Sequence, residues 1–205
     1  MMDPTIARIL QKAADNNEYQ QLANYLISRR SMPDFNLGYM PGFYAKFISP
    51  GLFTSGKVPE RGIISINQGA ESWNPESMAP TMVHEMSHAA ERQMIKQYYE
   101  IKKKLNKTEL ENQFLNNFQK IIGSNEPEIS NWLKKVSPEF YEENKGYRAK
   151  SGEALAFGLE NSAFESPPSN RPAPQHIDPT IATTLMLLLD QAQRVQNQNI
   201  APQGR

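Results

Sequence analysis

The chain of 205 residues contains no cysteine and only three histidines. The absence of cysteine excludes disulfides, thiolate metal ligands and a cysteine nucleophile. No charge sign is in excess either, since lysine plus arginine total 22 and aspartate plus glutamate total 22. Without a net charge the protein has no overall field that favours nucleic acid or an anionic membrane surface, and we expect neither as a partner.

Long apolar segments are also lacking. No run approaches the roughly 18 apolar residues of a membrane span. The N-terminal string MMDPTIARILQKAADNNEYQ has neither the basic start nor the apolar core of a secretory signal. We therefore expect no signal peptide and no transmembrane segment, which is consistent with a cytoplasmic location.

Helical periodicity is present from the start of the chain. Apolar residues recur at helical spacing over residues 3–30, where Asp3 is a predicted N-cap and Pro4 occupies the first helical position. The string DNN at residues 15–17 favours caps and turns, so it predicts a break in this helical segment.

The rest of the chain divides into a strand-rich part and a helical part. Residues 35–70 are rich in proline, glycine and aromatics with short β-branched runs, which is typical of strands and turns. A long helix is predicted over residues 80–105 and several helices over 108–197, the first of them capped by Thr108.

These patterns predict one domain with a particular architecture. The length fits a single domain spanning residues 1–197, followed by a disordered tail at 198–205. The fold class is α+β and mostly helical, with a small antiparallel or mixed sheet next to the helix at 80–105.

Two of the three histidines lie in the string HEMSH, at positions 84 and 88. Residues four apart share one face of a helix, so the imidazoles of His84 and His88 can converge on one ion while Glu85 flanks it. This is the H-E-x-x-H pattern, in which the histidines bind zinc and the glutamate is the general base. Shuffled sequences of this composition would contain it in only about 0.2 to 0.3% of cases. The alternative is a pair of ordinary histidines satisfied by hydrogen bonds.

The segment GIISINQGAESWNPESMAPTMVHEMSHAAE resembles the core of zincin metallopeptidases, in which a strand and a connection precede the active-site helix. The resemblance covers about residues 39–95 and one later helix. It implies a zincin-like fold, a zinc ion (Zn2+), a peptide or protein substrate, and peptide hydrolysis by a zinc-bound water with Glu85 as general base. It also implies that the strand at residues 61–68 is the edge that pairs with an extended peptide.

The third zinc ligand has two candidates. The metzincin extension would need glycine and histidine where this chain has Glu91 and Met94. In the gluzincin branch a glutamate from a later helix, followed by small residues, completes the site, and SGEALAFGLEN resembles that setting with Glu153. Glu91 is the rival, although a rigid helix carries it about 4.5 Å beyond His88 along the axis. Glu153 can also be an ordinary helix-start residue.

Three further residues are candidates for supporting roles. Glu160 shares a helical face with Glu153, so it can hold a ligating imidazole in its tautomer or can be a solvated charge. Zincins often stabilise the oxyanion with tyrosine, histidine or arginine across the cleft. That resemblance implies His176 first, then Tyr147, with Arg148 as a further candidate, although each can be an ordinary surface residue.

Two other function classes remain open from the sequence. The first is a zincin-like structural or interaction module, with or without metal, in a larger assembly. The second is a helical interaction protein without metal. Small H-E-x-x-H domains rich in asparagine and glutamine resemble those of bacteriophages and mobile elements, so a virion-associated location stands beside the cytoplasmic one. The presence of Glu85 favours an enzyme, because a pure scaffold needs no base.

Overall fold

The computed structural model describes residues 2–40, 44–49, 58–69, 75–122, 134–135, 138–143, 153–163 and 179–200. The predicted α+β, mostly helical fold is confirmed. The helices within these ranges are α1 (Pro4–Ala13), α2 (Asn17–Ser28), α3 (Pro75–Lys102), α4 (Glu109–Ile121), α5 (Pro138–Glu143), α6 (Glu153–Ala163) and α7 (Pro179–Ile200). The strands are β1 (Asp34–Gly38), β2 (Ala45–Ile48) and β3 (Ile63–Asn67).

The N-terminal segment forms two helices instead of one. The side chain of Asp3 accepts a hydrogen bond from the Thr5 backbone amide at 2.8 Å and caps α1, which begins at Pro4. Helix α1 ends at Ala13 and α2 begins at Asn17, so the break predicted at DNN is confirmed. The Asn16 side chain donates to the Ala13 carbonyl at 3.3 Å, so bonds between near neighbours in the sequence accompany both the start and the end of α1.

The sheet is mixed, with strand order β1-β3-β2. Strand β3 pairs in parallel with β1 and antiparallel with β2. The expectation that residues 61–68 form the edge of the sheet is therefore wrong. Ile64 and Ile66 are fully buried, and a strand with near-continuous apolar residues is favoured in the middle of a sheet, not at its edge. The strand at the edge next to α3 is β2, which α3 contacts.

Helix α3 lies at the centre of the fold and contacts the helices α1, α2, α4, α6 and α7. It begins at Pro75, earlier than the predicted start at residue 80, so Pro80 lies inside it. Proline removes one hydrogen bond from a helix interior. The additional N-terminal turn nevertheless buries Met78 and Ala79, at 1% and 0% exposure, and this burial offsets the missing bond.

A buried polar chain ties three helices together on the other side of α3. The Tyr25 hydroxyl of α2 donates to Gln97 Oε1 of α3 at 2.8 Å, and Gln97 Nε2 donates to the Ala192 carbonyl of α7 at 2.9 Å. Each polar group in this chain has a partner, so their burial is tolerated. These two hydrogen bonds hold α3 in one position against α2 and α7. The position of α3 in turn sets the direction in which the side chains of HEMSH point.

The C-terminal helix is longer than predicted. Helix α7 continues to Ile200, so residues 198–200 are helical instead of part of a disordered tail; residues 201–205 lie outside the described ranges. Asn199 explains the extension, because its side chain donates to the Val195 carbonyl at 2.9 Å and accepts from Lys104 Nζ at 3.2 Å. Across the described ranges, no helix is both long enough and apolar enough to cross a membrane.

Thr108 closes a capping box at the start of α4: its Oγ1 accepts from the Glu111 amide at 3.2 Å, and its own amide donates to Glu111 Oε2 at 2.9 Å. Thr108→Ala should lower the free energy of unfolding by about 1 kcal/mol, because one helix donor loses its acceptor. Thermal unfolding should shift down by about 2 to 4 °C. Thr108→Ser keeps the acceptor and is the matched control; equal losses in both variants would contradict the cap.

Candidate metal centre

The two histidines of HEMSH lie on one face of α3, turned towards α6. Their Nε2 atoms are 3.2 Å apart, and the rings meet edge to face with centroids 4.8 Å apart. His84 is buried at 7% exposure, and His88 is partly buried. The helical spacing of four residues therefore places both ring nitrogens around one position.

Glu153, the first residue of α6, completes this cluster. Its Oε2 lies 3.3 Å from His84 Nε2, and its Oε1 lies 3.5 Å from His88 Nε2. Zinc bonds of 2.0–2.1 Å in a tetrahedral site separate neighbouring ligand atoms by about 3.3 Å. The distance between the two Nε2 atoms, and the distance from each of them to the carboxylate oxygen that faces it, are thus close to the ligand separations of a tetrahedral zinc ion. The residues present fit a zinc ion.

Helix α6 presents several side chains to α3 from one face. Phe157, four residues after Glu153, packs its ring edge-on against the His84 ring with centroids 4.5 Å apart. Gly158 faces elsewhere, since a Cβ atom there would lie 2.8 Å from Ile181 Cγ2 of α7. The small residue Gly158 therefore lets α6 approach α7 closely.

Glu160 approaches His84 from the other side of the ring. It is buried at 2% exposure, and its Oε2 lies 3.2 Å from His84 Nδ1. A carboxylate facing Nδ1 favours a proton on that nitrogen and leaves Nε2 free for a metal. Of the two roles open from the sequence, the geometry matches the one that orients an imidazole, because a residue this buried is not a solvated charge.

The carboxylates around His84 change its protonation. Burial lowers the pKa of His84. The carboxylates of Glu153 and Glu160, with a smaller contribution from Glu85, raise the pKa by more than burial lowers it, and the resulting pKa is about 9. An unperturbed histidine has a pKa of about 6.5. In the metal-free protein at neutral pH the His84 ring is therefore an imidazolium held between two carboxylates.

Glu85 lies beside this cluster and is attached to the sheet. It is buried at 8% exposure, and its Oε2 accepts a hydrogen bond from the Phe47 backbone amide of β2 at 2.6 Å. The carbonyl of Tyr44, directly before β2, accepts a hydrogen bond from the Asn67 amide of β3. In an antiparallel pair every second residue faces the partner strand, so Lys46 and Ile48 also point their backbone groups towards β3. Phe47 points its amide the other way, towards α3.

Glu91, the rival for the third ligand, is not in the cluster. Within the described ranges, the group of residues able to hold a metal consists of His84, His88 and Glu153, and it does not include Glu91. Glu91 is partly buried, one turn beyond His88, as the helical rise predicts. Tyr147, Arg148 and His176 lie outside the described residues.

Two participants were not anticipated from the sequence, the Phe47 amide and the Phe157 ring. A backbone amide carries no residue signature, so nothing in the sequence could have identified Phe47. Phe157 lies four residues after Glu153 and three before Glu160, and this helical spacing was a signal that it shares their face.

Comparison with known proteins adds no analogue: no family model, no curated protein and no solved structure matches this chain. The chemistry of the centre is therefore inferred from its own residues and distances.

Removing the third donor should weaken metal binding. The purified protein should bind about one zinc ion per chain, and Glu153→Ala should lower the affinity by more than about 100-fold, beyond the usual effect of an outer-shell change. Chelator competition measures this. Glu91→Ala is the matched control, since it removes a nearby carboxylate outside the cluster, and its affinity should match the wild type. A larger loss in Glu91→Ala would contradict the ligand set.

Zinc binding should also release a proton. A metal ligand must be a neutral imidazole, and a pKa of about 9 means that His84 is protonated at pH 7 before the metal binds. We expect close to one proton released from His84 at pH 7, and an affinity that rises as the pH approaches 9. Isothermal titration calorimetry in buffers of different ionisation enthalpy measures the number. Glu160→Gln should reduce the release, and a pH-independent affinity from pH 7 to 9 would contradict the assignment.

Proposed function

We propose that this protein is a zinc-dependent metallopeptidase of the gluzincin-like zincin class. His84, His88 and Glu153 are the proposed zinc ligands, and Glu85 is the proposed general base. The observation that carries the proposal is the convergence of three residues up to 69 positions apart in the chain: the two histidine Nε2 atoms lie 3.2 Å apart, and one carboxylate oxygen of Glu153 faces each of them, at 3.3 and 3.5 Å.

The three proposed ligands match the number of protein ligands in a catalytic zinc site. Structural zinc sites have four protein ligands, whereas catalytic sites have three and keep one position for water or substrate. The described residues offer three. When bound, zinc would lower the pKa of water and polarise the substrate carbonyl.

The position of Glu85 supports its assignment as the base. The residue follows His84 directly on α3, so its carboxylate emerges beside the ligand cluster without belonging to it. The Phe47 amide holds Oε2, which fixes the carboxylate and leaves Oε1 for proton transfer. In the proposed reaction Glu85 takes a proton from the attacking water and then delivers it to the leaving amine.

The edge of the sheet suggests how a peptide would align. The outward backbone groups of β2 lie beside α3, at Ala45 and Phe47, and an extended peptide can add a strand to such an edge. Because Glu85 already occupies the Phe47 amide, we propose that the substrate pairs with the Ala45 amide and with the carbonyl groups of these two residues. The proposed peptide-binding strand is therefore β2 in place of residues 61–68.

The same hydrogen bond favours a second candidate function. A buried carboxylate that joins α3 to β2 stabilises the fold whether or not it moves protons. A zincin-like module that binds metal and acts by interaction would also keep Glu85 for this reason. The two functions differ in whether loss of the charge of Glu85 removes an activity.

Glu85→Gln separates the two functions. The glutamine carbonyl still accepts from the Phe47 amide but cannot take a proton, so the variant should fold, bind one zinc ion and lose about 10²- to 10⁴-fold in kcat/KM. Zinc-loaded protein is assayed on an unfolded protein or a random peptide mixture, with Glu91→Gln as the control that keeps wild-type activity. An active Glu85→Gln variant would exclude the base role. A wild type inactive on all peptides would favour the interaction module.

A further inference from the structure

A polar cavity lies beside the central helix α3, away from the metal centre. It has a volume of about 230 Å³ and lies between the C-terminal end of α2, the turn before β3 and the later part of α3. Lys96, which lines it, comes eight residues after His88, about 12 Å further along the helix axis. The cavity is therefore separate from the proposed zinc site.

Charged side chains dominate the wall of this cavity, with four cations and two carboxylates. Both carboxylates already have partners. Glu100 Oε2 lies 2.9 Å from Arg29 Nη2, and Glu60 Oε1 lies 3.0 Å from Lys96 Nζ. Arg29 also donates to Gln196 Oε1 at 2.9 Å, and only 13% of its side chain is exposed, so its guanidinium is a fixed positive charge in the wall.

Of the other two cations, Arg61 has a carboxylate partner among the described residues and Arg30 does not. Arg61 pairs with Asp34 outside the cavity at 2.5 Å. For Arg30, no ion pair or side-chain hydrogen bond is found within the described part of the chain. Its side chain is exposed at the mouth of the cavity, so its guanidinium is free to bind a ligand.

The backbone of Arg30 is the second observation that points to this residue. The φ angle of Arg30 is +52°, in the left-handed region. Within the described ranges, Arg30 is the one non-glycine residue with a positive φ. The Arg30 amide donates to the Ile27 carbonyl at 2.9 Å and the Ser31 amide to the Leu26 carbonyl at 2.8 Å. This is the bond pattern of a helix C-terminus that glycine normally closes. An arginine in that position carries backbone strain, and such strain is concentrated at functional sites.

We propose that this cavity binds a small doubly charged oxyanion, such as a phosphate group. Arg30 would contact it with two parallel N–H groups, the geometry in which guanidinium binds tetrahedral oxyanions. Arg29 and Lys96, each paired with a carboxylate, line the wall behind it, and the buried Gln93 amide, at 4% exposure, is a neutral donor in the same wall. The site is independent of the proposed peptidase function.

Inorganic phosphate titrated into the isotope-labelled full-length protein at constant ionic strength tests the site. Phosphate should shift the backbone NMR signals of Arg30, Ser31, Arg61 and Lys96 in a saturable way. Arg30→Gly should weaken the affinity by about tenfold or more, since one charge-assisted contact is lost. Its melting temperature should be no lower than that of the wild type, because glycine adopts a positive φ without strain. Arg8→Gln, which removes an exposed charge from α1, should bind phosphate as the wild type does.

Three results would overturn the site. The first is an equal set of shifts with sodium chloride at matched ionic strength, which would mean only general screening. The second is an unchanged phosphate affinity in Arg30→Gly. The third is a set of shifts confined to His84 and His88 with none around Arg30, which would place the anion at the metal centre instead.

Discussion

Two carboxylates meet the buried imidazole of His84 at the contact between α3 and α6, a third acts on it electrostatically, and the rest of the site depends on how their charge is balanced. Glu153 and Glu160 lie 3.3 and 3.2 Å from the two ring nitrogens, and Glu85 is close enough to raise the pKa of the ring. Desolvated charges of one sign are costly unless an opposite charge lies among them. A proton on His84 supplies one positive charge, and a divalent cation supplies two. The α3–α6 interface therefore has a physical reason to hold a metal ion.

The hydrogen bond between Glu85 and the Phe47 amide joins this interface to the sheet. It connects the proposed base to the strand along which a substrate would lie, so one backbone amide positions both. Among the described strands, β2 lies at an edge of the sheet, where a peptide could pair with it, whereas β3 already has a strand on each side. Helix α3 bears the proposed metal centre near its middle and lines the proposed oxyanion site beyond it. The hydrogen bonds that link Tyr25, Gln97 and the Ala192 carbonyl hold α3 against α2 and α7.

Short-range features could be predicted from the sequence because they depend on neighbouring residues alone. The caps at Asp3 and Thr108 and the break at DNN follow from side chains that bond within three residues. The convergence of His84 and His88 follows from helical geometry. The start of α3, its internal Pro80 and the helical residues 198–200 did not follow, since burial and contacts with distant residues outweigh local preference there.

The sequence by itself determined the helical, α+β character of this protein and the pair of histidines with an adjacent glutamate, because each is a matter of periodicity and spacing. Only the tertiary structure brought Glu153, and not Glu91, to the two histidines, placed β3 between the other two described strands with β2 at an edge, and brought Arg30 to a cavity beside α3. These outcomes depend on which surfaces pack together over separations of tens of residues, and that packing is set by the whole core.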